Sequence, residues 1–350
     1  MIRVLIVDDS PVVRQIFRKG LASDPEIEVV GEAPDPYVAR DLIVQLKPDV
    51  LTLDIEMPRM DGLTFLGKLM KHHPMPVVIC SSITKQGSDK AMEALSLHAV
   101  EVMSKNLEVG PAMVTELVRK VKAAAASRIE RRPMAPPRTV AAPPPALAGP
   151  GGGCVRGLIA IGSSTGGPEA LTRVIGPLPP ATPPIVIVQH MPPMFTASLA
   201  ERLDRLSAME VREAQNGDTL QPGLALIAPG DRHMLVAGRP GRYHVELRDG
   251  PRVGLHKPAV EVLFRSVVKA AGDNAVGVML TGMGGDGSKG MRAMHDAGAW
   301  NIFQDEETCV VYGMPREAVR EGGVDEESPL DEIPRRILKA VMRKPVMART

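Results

Sequence analysis

Short apolar runs recur along this chain, and most of them are closed by a carboxylate, a hydroxyl or a glycine-rich step. In the first third they fall at 4–7, 29–30 with its neighbours, 50–53, 77–80 and 100–103. They are too short for buried helices and too continuous for strands with one wet face. Strands of a parallel sheet have this character, because helices cover both of its faces. Amphipathic stretches near 11–22, 36–46, 61–72, 88–97 and 111–127 separate the runs, which predicts a doubly wound parallel α/β sheet.

Three further runs in the second half end in residues of hydrolytic chemistry. Residues 157–162 lead into Ser163-Ser164-Thr165-Gly166-Gly167, 184–189 into His190, and 275–280 into Thr281-Gly282-Met283-Gly284-Gly285-Asp286-Gly287. A second α/β domain follows, with a hairpin expected around Arg239-Pro240-Gly241. Between the halves, 129–153 contains Pro136-Pro137, Pro143-Pro144-Pro145 and Gly149-Pro150-Gly151-Gly152-Gly153, and reads as a semi-extended linker. The expected organisation is therefore a domain over 1–122, a linker over 123–153 and a second domain over 154–345.

Bulk properties exclude several classes. A net charge of +1 over 350 residues gives no global field toward nucleic acid or an anionic membrane. Aromatic residues are 3% of the chain, too few for base-stacking surfaces. The second half also offers no helix-turn-helix signal or basic face. Cys80, Cys154 and Cys309 make no CxxC pair, so neither a disulfide framework nor a structural zinc site is indicated. No stretch approaches the roughly 20 apolar residues that span a bilayer. A cytoplasmic protein with neither nucleic-acid binding nor membrane insertion is expected.

In the first half, Asp8 and Asp9 follow the first strand, Asp54 ends the third, Ser81 ends the fourth and Lys105 follows the fifth. Strand ends of a parallel sheet share one edge, so these groups converge. Clustered carboxylates suit a hard divalent cation such as Mg²⁺, and a lysine and hydroxyl opposite them suit a phosphoryl group. The plainer reading of each acid alone is a helix cap or loop residue. The blocks Val7-Asp8-Asp9-Ser10, Leu53-Asp54-Ile55-Glu56-Met57-Pro58, Cys80-Ser81-Ser82 and Ser104-Lys105 resemble those of two-component receiver domains. The resemblance implies Asp54 as phospho-acceptor, with Mg²⁺ bound by Asp9, Asp54 and the Glu56 carbonyl and, through water, by Asp8. It implies Ser81 and Lys105 as readers of the phosphoryl oxygens. Two positions depart from the family pattern: Asn106 replaces a usual proline, and Val102 stands where many members carry a switching aromatic.

In the second half, Gly162-Ser163-Ser164-Thr165-Gly166 fits G-x-S-x-G, a strand-to-helix turn that exposes its central serine. A phosphate-cradling loop is the competing reading, but the spacing matches neither the dinucleotide fingerprint nor the P-loop. Serine needs an adjacent base. His190 ends a buried run and leads the candidates, ahead of His233 and then His256. His72, His73, His98, His244 and His295 read as packing or solvated residues. For the orienting acid Asp286 leads, with Asp218 and Asp231 as alternatives better explained as turn residues.

The order Ser…His…Asp differs from that of α/β-hydrolases and is similar to that of the chemotaxis methylesterase CheB family. Gln189-His190-Met191-Pro192-Pro193-Met194, Ala228-Pro229-Gly230-Asp231-Arg232-His233 and Gln304-Asp305-Glu306-Glu307-Thr308-Cys309 extend the agreement. The resemblance implies Ser164 as nucleophile, His190 as base and Asp286 as its orienting acid, with Thr165 and Met283 beside the oxyanion pocket. It also implies methylated chemoreceptors as substrate, a CheA-type histidine kinase as phosphodonor, and no cofactor for ester hydrolysis. A phosphorylation-controlled adaptor and an esterase for a small metabolite are the competing functions.

Overall fold

The computed structural model describes residues 1–81, 84–105, 111–127 and 156–343. Asn106 and most of the expected linker lie outside these residues. The chain divides into two units, Met1–Pro133 and Met134–Thr350.

The first unit alternates β1 (Ile2–Val7), α1 (Pro11–Leu21), β2 (Ile27–Ala33), α2 (Pro36–Leu46), β3 (Val50–Asp54), α3 (Gly62–His72), β4 (Val77–Ser81), α4 (Lys85–Ser96), β5 (Glu101–Ser104) and α5 (Pro111–Ala125). The strands form one parallel sheet, as the alternation predicted, and their order is β2-β1-β3-β4-β5. Every residue of β3, β4 and β5 is buried, which accounts for the apolar runs within them. One helix start differs from expectation. Helix α4 begins at Lys85 rather than near 88, because the Thr84 hydroxyl accepts the Gly87 N–H and caps the helix. Helix α5 ends at Ala125, within the amphipathic stretch expected near 111–127, and its Val121, Ala123 and Ala124 are buried.

Chain order reverses between β1 and β3, so the residues after their carboxyl ends flank the crevice where such sheets bind ligands. Gly62 is required there. A Cβ at this position would lie 2.1 Å from the Asp54 carbonyl oxygen, so only glycine lets α3 start against the end of β3.

The second unit contains β6 (Leu158–Ser163), α6 (Gly167–Ile175), β7 (Ile185–Gln189), α7 (Phe195–Leu206), β8 (Glu210–Glu213), β9 (Leu224–Ile227), β10 (His233–Arg239), β11 (Arg242–Arg248), α8 (Val260–Ala270), β12 (Ala275–Met279), α9 (Ser288–Asp296), β13 (Trp300–Gln304), α10 (Met314–Arg320), β14 (Glu326–Ser328) and α11 (Ile333–Val341). Its seven-stranded sheet runs β14-β13-β12-β6-β7-β9-β8 and is parallel throughout. Strands β10 and β11 form the antiparallel hairpin expected around Pro240-Gly241. Here the order reverses between β6 and β12, and this switch point is where the candidate serine emerges. No described helix is long and apolar enough to cross a membrane.

One buried ion pair ties α5 to β5, the strand that delivers Lys105. Lys120 Nζ donates to Glu101 Oε2 at 2.8 Å, and both side chains are nearly inaccessible. Removing one partner strands the other charge in a dry site, at about 3–5 kcal/mol. Lys120→Met is therefore expected to weaken amide-exchange protection across β5 and α5 in the full chain. The double change with Glu101→Leu should recover much of the loss.

Candidate functional site

In the second unit the backbone brings Ser164 and His190 together. Ser163 pairs in register with Gln189 across β6 and β7, so the next residue of each strand leaves the sheet side by side. The His190 N–H donates to the Ser163 carbonyl at 3.1 Å, and the Ser164 N–H donates to the Thr281 carbonyl at 3.0 Å. Ser164 thus lies between the chain leaving β7 and the chain leaving β12. Glycine permits this crowding: a Cβ on Gly282 would come within 2.7 Å of the Ser164 Cβ. Gly166, at φ +76°, completes the turn into α6.

A set of amides and hydroxyls braces this turn. Ser163 Oγ donates to Gln189 Oε1 at 2.7 Å, and Gln189 Nε2 donates to the carbonyls of Ser164 at 2.8 Å and His190 at 3.2 Å. Thr281 Oγ1 donates to the Thr165 carbonyl at 2.9 Å, while the Thr281 N–H donates to Gln304 Oε1 at 2.9 Å. Gln189, Thr281 and Gln304 were not singled out as site residues in the sequence. Their only sequence sign was a polar side chain at or beside the end of a buried strand.

Asp286 reaches His190 from the loop after β12. The two side chains are each 3% exposed, and His190 Nε2 lies 2.7 Å from Asp286 Oδ2. The same carboxylate accepts the N–H groups of Val260 at 2.7 Å and Glu261 at 3.1 Å. It therefore caps α8, whose own N-cap residue, Ala259, supplies no side-chain cap. Burial opposes ionisation of Asp286, but the His190 hydrogen bond and charge, with the Val260 N–H, hold its carboxyl below the usual carboxylate range.

The alternative acids are engaged elsewhere. Asp218 pairs with Arg212 at 2.6 Å and Asp231 with Lys257 at 3.1 Å. The alternative base His233 has its Nε2 3.0 Å from the Pro251 carbonyl. Thr165 is buried, and Met283 is half-buried beyond Gly282.

Two atoms in this dry site have no hydrogen-bond partner: Ser164 Oγ and His190 Nδ1. Other buried polar atoms of the described residues also lack a protein partner, Thr52 Oγ1 and Ser88 Oγ among them, but here a hydroxyl and an imidazole nitrogen lie together on adjacent strand ends. Because Asp286 occupies Nε2, Nδ1 is the ring nitrogen without a protein partner. This reverses the usual assignment, in which the acid holds Nδ1.

In the first unit Asp8 and Asp54 are buried and Asp9 is exposed. Their carboxylate oxygens lie within 4.8 Å of one another. Lys105 Nζ is 2.7 Å from both Asp8 Oδ2 and Asp54 Oδ1. Burial raises the Asp54 pKa, and the Lys105 charge opposes that rise without cancelling it. Burial acts to lower the Lys105 pKa, but the two carboxylates raise it overall. The Glu56 N–H donates to Asp54 Oδ1 at 3.2 Å, and its side chain faces Lys90 at 3.6 Å. Ser81 Oγ donates to the Gly87 carbonyl at 3.1 Å, so this hydroxyl is turned toward α4. Val102 is buried within β5.

The family model described as CheB methylesterase matches residues 159–337, and that of the response regulator receiver domain matches 4–117. A relative from Anaeromyxobacter dehalogenans (strain 2CP-C), named protein-glutamate methylesterase/protein-glutamine glutaminase 4, is 53% identical over 341 residues, covering 97% of this chain and 94% of its own. A relative of the same name, without the numeral, from Salmonella typhimurium is 50% identical and spans 97% of both chains. The crystal structure of the Thermotoga maritima CheB methylesterase catalytic domain is 40% identical, with a TM-score of 0.51, over 53% of this chain and 98% of that one. Fold and comparisons together define a response regulator whose output unit is a hydrolase. The chain belongs to the CheB methylesterase family.

The double role of Asp286 yields a stability prediction. Asp286→Ala removes the acceptor of two helix N–H groups and should destabilise the second unit by about 1–2 kcal/mol at neutral pH. With the folded-state pKa depressed, this contribution is complete above the unfolded value near 3.9 and disappears as pH falls through the folded value. Denaturant unfolding curves of wild type and variant should therefore converge in acid.

Proposed function

We propose that this protein hydrolyses glutamate γ-methyl esters on methylated chemoreceptors, and deamidates glutamines there, when its receiver is phosphorylated. The observation that carries the catalytic reading is the buried Asp286–His190 pair beside an unpartnered Ser164 hydroxyl at the sheet switch point. The substrate follows the names of the relatives, which match almost end to end.

In this reading His190 Nδ1 takes the Ser164 proton as Oγ attacks the ester carbonyl. Asp286 holds the Nε2–H and stabilises the imidazolium that forms. Backbone N–H groups at Thr165 and Met283 receive the developing oxyanion. Collapse of the tetrahedral adduct expels methoxide, which leaves as methanol with the proton from His190. Water then enters by the same base, releasing the glutamate carboxylate and restoring Ser164. The Ser164–His190 hydrogen bond forms with substrate in place, as catalytic contacts commonly tighten on binding. With glutamine the same sequence expels ammonia.

The receiver occupies 1–122 and the catalytic unit 154–345 in this assignment, with 123–153 joining them. Asp54 accepts the phosphoryl group from a CheA-type histidine kinase, and Lys105 and Ser81 bind its oxygens. The three carboxylates within 4.8 Å form the oxygen-rich donor set a hard cation requires. Asp9, Asp54 and the Glu56 carbonyl would hold Mg²⁺ directly and Asp8 through water, and the bound ion would neutralise charge during phosphoryl transfer. Cytoplasmic location follows from a receptor tail and kinase encountered on that side of the membrane.

Methanol release from methylated receptor membranes, with and without a small phosphodonor, tests the whole reading. The phosphodonor should raise turnover in the wild type and leave Asp54→Asn unchanged. Ser164→Ala should lower kcat by about 10⁴-fold or more while receptor binding survives. Near-normal turnover in Ser164→Ala would reject the nucleophile, and faster hydrolysis of small free esters would favour a metabolite esterase.

A further inference from the structure

The weakest of the three histidine candidates for the base occupies the most informative place. The ring of His256 lies flat against that of His190, with centroids 3.7 Å apart and planes inclined by 4°. The local backbone is arranged to put it there. Val253 and His256 exchange both backbone hydrogen bonds at 3.0 Å, closing a two-residue turn over Gly254 and Leu255. Both central residues have positive φ, +56° and +74°, the signature of a type I′ turn. Leucine is poorly suited to that conformation, and Leu255 is 70% exposed, so burial of its side chain does not compensate.

The segment is fixed on its far side as well. Lys257 Nζ reaches Asp249 at 2.9 Å and Asp231 at 3.1 Å, and its carbonyl accepts the Asp231 N–H at 3.3 Å. A few residues later, Val260 and Glu261 donate to Asp286. One continuous stretch, 253–261, thus braces the carboxylate behind His190 and lays a ring against its face.

The second constraint has a geometric purpose. Asp286 holds the His190 side chain at one atom, Nε2, and that single contact does not by itself fix the plane of the ring. Ser164 does not restrain it, since both Oγ and Nδ1 are unbonded. Nδ1 addresses the hydroxyl only within a narrow range of ring planes. We infer that His256 is a positioning residue for the esterase reaction, its ring setting the plane of the His190 imidazole so that Nδ1 meets Ser164 Oγ. This rests on the assignment of Ser164, His190 and Asp286 as the reacting groups.

The test uses full-length, phosphodonor-activated protein and methylated receptor membranes, with kcat and KM resolved separately. His256→Ala and His256→Gln, which remove the ring, should each lower kcat by about 10- to 100-fold with KM little changed, the scale set by small misplacements of a reacting group. His256→Phe, which keeps a flat face but no ring nitrogen, should restore most of the loss. If Ala fails to fold, the contrast between Gln and Phe decides. Unchanged kcat in both ring-less variants, or Phe as impaired as Gln, would overturn the inference. Ser164→Ala and His190→Ala serve as reference arms. If either retains turnover, the catalytic assignment itself fails. If both are inactive while the ring-less variants match wild type, only the role of His256 falls.

Discussion

The second unit depends on one carboxylate that serves two masters. Asp286 accepts from His190 and from the first two N–H groups of α8, so the helix and the imidazole are fixed to the same pair of oxygens. Helix N-termini carry partial positive charge, which favours an anion at this point and offsets its burial. The acid is thereby kept ionised next to the His190 imidazole. A chain that loses Asp286 loses both a helix cap and the contact that holds the His190 ring.

Both units apply one topological device to different reactions. In each, a parallel sheet reverses its order beside its first strand and opens a crevice at the carboxyl edge. The first unit fills that edge with three carboxylates and a lysine, a charged site suited to a phosphoryl group. The second fills it with a hydroxyl, an imidazole and a single acid, nearly sealed from water. The contrast in solvation is physical as well as chemical. Lys105 pairs directly with two of the receiver carboxylates, Asp8 and Asp54, whereas Asp286 is held by His190 and two backbone N–H groups.

Much of this was legible because parallel strands, covered on both faces, leave continuous apolar runs, and their carboxyl ends share an edge. Ser164, His190, Asp54 and Lys105 could be singled out on that ground. The hairpin was legible from Pro240-Gly241, where turn chemistry is local. The start of α4 was not, because Thr84 caps it from outside the amphipathic stretch. Gln189, Thr281 and Gln304 were also missed. A polar side chain at the end of a strand looks the same whether it braces a turn or faces solvent.

The sequence by itself determined the two α/β units, the strand ends that carry polar groups and the short list of candidate acids and bases, since burial on both faces writes itself into local composition. Tertiary structure alone decided which members of that list meet. Register placed Ser163 opposite Gln189, and the path from β12 into α9 carried Asp286 rather than Asp218 or Asp231 to His190. The contact with Asp286 left Nδ1 as the ring nitrogen without a protein partner, and the separate stretch 253–261 laid His256 against the ring. Those outcomes depend on contacts between residues far apart in the chain, and no local preference encodes a distance of that kind.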